Sequence, residues 1–124
     1  MVIQSISYEV RPTGGGLAFC SYERDGHTSG GHLSGDQPPF VHQDTKVLPA
    51  SVIKQLWELA EALGPELLSA KQAPDPAWGG HSRVTITFVD GGSATLAWKP
   101  MARPDDARVH ALYDFIAEHH VGGW

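Results

Sequence analysis

A single cysteine, Cys20, rules out an internal disulfide. No stretch approaches the roughly 18 consecutive apolar residues of a membrane-spanning helix. The opening Met1-Val2-Ile3-Gln4-Ser5 lacks the basic start and apolar run of a secretion signal. Basic residues are few and scattered: nine Lys and Arg against fourteen Asp and Glu leave a net charge of −5, which gives no footprint for nucleic acid. No His-Glu-x-x-His occurs, and no cysteine pair is available to hold zinc. These absences leave a cytoplasmic domain with no nucleic-acid or membrane partner as the expectation.

What the chain does have is an ordinary core composition. Hydrophobic residues make up 41% and charged residues 19% of 124 positions, the size of one domain spanning residues 1–124. A chain of this length buries roughly two-thirds of its unfolded surface, so one core suffices without a metal or disulfide staple.

The apolar pattern has two similar halves. In the first, Val2, Ile6, Tyr8 and Val10 alternate with Ser5, Ser7 and Glu9, with Gln4 out of phase. Pro12 and Gly14-Gly15-Gly16 then mark a turn, and Leu17–Glu23 reads as the return strand, with either Leu17/Phe19 or Ala18/Cys20/Tyr22 inward. A helix follows from Pro49 to Leu63, its stripe formed by Val52, Ile53, Leu56, Leu59, Ala60 and Leu63, with Gly64-Pro65 as a stop. In the second half, Val84, Ile86 and Phe88 alternate with threonines, Asp90-Gly91 turns the chain, and Ala94, Leu96 and Trp98 resume the alternation. The last helix starts near Pro104, with Asp105 and Asp106 at its positive end and Val109, Leu112, Tyr113 and Ile116 on its stripe.

These elements predict an α+β two-layer sandwich: an antiparallel sheet of four or five strands, two helices on one face, and a duplicated ββα-ββα order. Val84, Ile86, Phe88, Leu56, Leu59, Leu112 and Ile116 are expected to meet in the core, leaving a threonine-rich face wet. Arg24–Asp44 and Ala73–Gly80 interrupt the plan. The first reads as a long polar loop whose end, Phe40–Leu48, supplies a possible fifth strand.

Chemistry is harder to find. His27, His32 and His42 share the long segment with Asp25, Asp36 and Asp44, a donor set that suits zinc if it converges. The spacing His27-x-x-x-x-His32 matches no compact zinc motif, so no metal ligand, cofactor or catalytic residue is assigned. Cys20 lies in an apolar strand, where a thiol behaves as a small hydrophobe. Gly14-Gly15-Gly16 joins two strands and is not followed by a helix, which removes the phosphate-cradle reading. Glu58 and Glu61 read as a solvated helix face, His119-His120 as a helix end, and Trp57 as a core margin. Trp78 and Trp124 stand in Gly-rich stretches, where an aromatic either folds over the core or meets a partner.

Gly15-Gly16-Leu17-Ala18 after the first strand, Leu48-Pro49 before a helix with Leu56, and Val84-Thr85-Ile86 leading to Asp90-Gly91 form a layout. With the last helix and its Val109, Leu112 and Ile116, this layout resembles the emfourin-like small bacterial inhibitors of thermolysin-like metalloproteases and related short domains of unknown function. Two features depart from that pattern: the long Arg24–Asp44 insertion, and His81-Ser82-Arg83 where an Asp-x-aromatic start is expected. The resemblance implies a small non-catalytic binding or regulatory domain, and carries over no inhibitory residue. Two rival readings remain: an enzyme or metal-binding protein built on the His/Asp segment 25–44, and a structural homodimer. Protein contact or self-association through that segment or an exposed sheet edge is the expected mode of action.

Overall fold

The computed structural model describes residues 2–33, 42–100 and 102–122, with His42 described by its backbone alone. The strands are β1 (Ile3–Arg11), β2 (Leu17–Glu23), β3 (His27–Leu33), β4 (His42–Val47), β5 (His81–Phe88) and β6 (Ser93–Trp98). The helices are α1 (Ala50–Glu61), the single turn α2 (Gly64–Leu67) and α3 (Ala107–His119). All six strands form one antiparallel sheet in the order β4-β3-β2-β1-β5-β6.

Alternation along each strand sends one row of side chains inward. Ile6, Tyr8, Cys20, Tyr22, Val84, Ile86, Phe88, Leu96 and Trp98 are buried in one cluster with Ile53, Leu56, Leu112 and Ile116 of the helices. The expected core is therefore assembled, with Leu59 only partly buried at its margin. The open alternatives in β2 resolve to Ala18, Cys20 and Tyr22, which pair with Val10, Tyr8 and Ile6 and share their inward row.

Gln4 is out of phase for a structural reason. The pairing of β1 with β5 shifts between Ile3 and Ser5, a bulge that adds one residue and turns Ile3 inward. Ile3, not Val2, is buried as a result, while Val2 is 57% exposed.

The duplicated ββα order does not hold. Four strands precede α1, because β3 and the start of β4 take up most of the described part of the expected loop 24–44: a tight turn at Glu23–Gly26 returns the chain into β3. Its strand character is hidden in the sequence because its inward positions are Thr28 and Gly30 rather than large apolar residues. The tail after α3 fills that space instead. A Cβ on Gly30 collides with the carbonyl oxygen of Val121, and the backbone of Gly31 packs against Gly122. The final part of Phe40–Leu48 does form the strand β4.

Gly64-Pro65 is not a full stop either: after Ala62 and Leu63 it opens α2, with proline in the first turn where its missing N–H costs nothing. The last helix starts later than Pro104. Asp106 is its N-cap and accepts the Arg108 amide at 2.9 Å.

Candidate functional site

His27 and His32 lie five residues apart on β3 and so point to opposite faces of the sheet. His27 Nδ1 meets Asp25 Oδ2 at 2.8 Å on the exposed turn. His32 Nδ1 lies 2.8 Å from the Gly122 carbonyl oxygen on the helix side. Asp44 accepts the Thr45 amide at 2.8 Å. The His42 side chain and Asp36 lie outside the described residues, as does Trp124. Among the described residues no three His, Cys, Asp or Glu side chains come together as a metal site.

Cys20 is fully buried, and burial pushes its thiol pKa up, which opposes the thiolate that nucleophilic chemistry needs. Gly14, Gly15 and Gly16 all adopt positive φ in the β1–β2 turn. His120 Nδ1 lies 3.0 Å from the Ala117 carbonyl, in keeping with a helix-end role.

A cleft of about 460 Å³ lies beside α1 and is lined by Arg24, Lys54, Trp57 and Glu61 among others. Its arginine is already engaged. Arg24 donates to the Ile3 carbonyl at 3.0 Å and sits 6.0 Å from the centre of the Trp57 ring. Trp57 is buried and also donates to Ile3, at 3.3 Å, so this group closes the core margin rather than offering a ligand site.

The sheet face opposite the helices has a different character. Thr45 pairs with Ser29, Ser29 with Ser21, Ser21 with Ser7, Ser7 with Thr85, and Thr85 with Thr95. One hydroxyl residue from each strand thus forms a continuous row across the sheet. Sequence reading notes the threonines of β5 but misses the row, because only the pairing register collects residues up to 88 positions apart.

Beside the row, the Glu9 carboxylate pairs with Arg83 and has His81 Nε2 at 3.6 Å, too far for a hydrogen bond. Burial holds the His81 pKa below its ordinary value, and the nearby Arg11 charge pushes it the same way. The open face therefore carries a row of hydroxyls and a Glu9–Arg83 pair, with Phe19 beside Glu9.

The two sheet edges differ. Along β6, Ala70 and Gln72 bond to Thr95, while Lys71 reaches the Ser93 carbonyl, so a short parallel segment covers that edge. Along β4, residues 43–47 are all exposed. The Leu48 amide donates to the Gly26 carbonyl at 2.9 Å. By antiparallel alternation, Asp44 and Lys46 then turn their backbone groups to β3, and Gln43, Thr45 and Val47 turn theirs outward. Val47, 60% exposed, lies at the end of this edge.

The chain matches no known protein-family model and no curated protein. What it can do is therefore read from its own geometry: one open edge, one covered edge and a hydroxyl-paved face. No helix among the described residues is long and apolar enough to cross a membrane.

Proposed function

We propose that this chain is a small non-catalytic protein-binding domain, and that inhibition of a thermolysin-like metalloprotease is the most concrete form of that role. One observation carries the reading: β4 exposes residues 43–47 at a sheet edge, whereas the opposite edge is covered by Ala70–Gln72. An uncovered edge accepts an extended segment of another protein as an added strand, with backbone bonds giving affinity. The layout resemblance to emfourin-like inhibitors supplies the protease as the candidate partner, and that likeness is one of pattern.

The test is titration of a thermolysin-like metalloprotease with the purified chain, beside the variant Thr45→Pro. The Thr45 amide faces outward and bonds only to the Asp44 side chain among the described residues, so proline removes an edge donor and no sheet bond. Inhibition by the parent and weakened inhibition by the variant are expected. Full protease activity at a large excess of the parent rules out the inhibitor form, and tight inhibition unchanged by Thr45→Pro rules out the edge.

A further inference from the structure

We infer that the β4 edge also recognises itself: a second copy of this chain adds antiparallel to β4 about a two-fold axis through Thr45, joining two sheets into one. This rests on the reading of β4 as a binding edge and names an occupant for it.

The argument lies in the six residues His42-Gln43-Asp44-Thr45-Lys46-Val47. In an antiparallel pair centred on Thr45, residue 44 faces residue 46 of the other copy, and residue 43 faces residue 47. Asp44 then lies opposite Lys46 of the second copy, and the two-fold repeats the pair. Centring on Asp44 or Lys46 instead sets like charges opposite each other, which is unfavourable. The charge pattern thus favours the register at Thr45.

The backbone fits the same register. Gln43, Thr45 and Val47 are the residues whose amides and carbonyls face outward. They become the hydrogen-bonded pairs 43 with 47, 45 with 45, and 47 with 43, about six bonds at two per pair. In the single chain the Thr45 amide is held by Asp44 Oδ1 at 2.8 Å. Pairing exchanges that local bond for the Thr45 carbonyl of the second copy and frees the Asp44 carboxylate for Lys46 across the axis.

Facing is consistent too. Asp44 and Lys46 pair with Gly30 and Thr28, so they project on the helix side, while Thr45 joins the hydroxyl row on the open side. A two-fold axis normal to the sheet keeps both sets of helices on one side. It also continues the row from Thr95 to Thr45 into the second copy.

So short an edge forms a contact well below the roughly 1,600 Å² of a standard interface, so the dimer is expected to be weak, with a micromolar or weaker dissociation constant. Sedimentation equilibrium of the full chain up to millimolar concentration reads it. The parent should dimerise reversibly, and Lys46→Glu, which faces Asp44 of the other copy, should weaken the dimer by about tenfold. The double exchange Asp44→Lys with Lys46→Asp restores opposite charges and should recover dimerisation, while Thr45→Pro should abolish it. Circular dichroism melting checks that each variant folds.

A parent monomeric at millimolar concentration overturns the inference, as does a dimer indifferent to Lys46→Glu and Thr45→Pro. A monomer that still inhibits a protease in a Thr45→Pro-sensitive way leaves the protein-binding reading standing and removes only self-pairing. A charge-sensitive dimer without protease inhibition supports self-pairing and removes the inhibitor form.

Discussion

His32 Nδ1 lies 2.8 Å from the Gly122 carbonyl oxygen, a contact that fastens the end of the chain to the third strand across 90 positions. The ring nitrogen is the donor, because a carbonyl oxygen can only accept. A residue that reads in the sequence as a metal-ligand candidate is thus part of the docking of the tail.

That docking is sensitive to side-chain size. At Gly30 a Cβ meets the Val121 carbonyl and comes within 2.8 Å of the Phe19 carbonyl oxygen, both of them backbone. Gly30→Val is expected to lower stability by about 1–3 kcal/mol, the usual cost of overpacking. His32→Ala should cost about 1 kcal/mol through loss of the hydrogen bond to the Gly122 carbonyl. Urea unfolding measures both, and a Gly30→Val protein as stable as the parent contradicts the described path of the tail.

Tyr22 offers a gain rather than a loss. Its side chain is fully buried, packs edge-on against Phe115 at 6.3 Å, and has no conventional hydrogen-bond partner for its hydroxyl among the described residues. The Cys20 thiol, two residues away on the same face, is at best a weak partner. Removing an unsatisfied buried hydroxyl relieves its desolvation cost, so Tyr22→Phe is expected to stabilise by up to about 1 kcal/mol. A clear drop in the urea midpoint would mean that the hydroxyl is bonded after all.

Cys20 should be inert in the folded protein. It is fully buried and its pKa is raised, chiefly by desolvation. Modification by a water-soluble aromatic disulfide at pH 8 is expected to be slow and to accelerate sharply in urea. Rapid reaction of the native protein would place the thiol at the surface.

His81 sets a pH dependence whose sign follows from its burial. Desolvation, reinforced by Arg11, depresses its folded pKa below 6.5. As pH falls through about 6.5 the unfolded chain takes up this proton before the folded one does. The contribution is therefore fully present above that value and is lost as pH falls toward the folded pKa. His81→Gln is expected to narrow the stability difference between pH 7.5 and pH 5.5, measured by urea unfolding. An unchanged difference would show that His81 is not the group responsible.

Much of the fold was legible because the apolar period is strong where core is built from side chains. Val84, Ile86, Phe88, Leu56 and Leu112 are buried where alternation and helical spacing put them. The β5–β6 turn was equally plain, since Asp90 accepts the Gly92 amide at 2.9 Å and Gly91 takes the positive φ that the turn requires.

What local pattern could not show is what distant backbone replaces. β3 buries Thr28 and Gly30, so its period is invisible until Val121 and Gly122 fill the gap. The same applies to the candidate site. Asp44, Thr45 and Lys46 are unremarkable polar residues until sheet order leaves β4 at an edge, and Ser7 and Thr45 become members of one row only through register. By itself the sequence determined the apolar rows, the turns and the α+β class, because period-2 and period-3.6 burial depend on neighbours a few residues apart. Strand order, the open edge and the separation of His27 from His32 were decided by tertiary structure, because each depends on which remote backbone lies alongside.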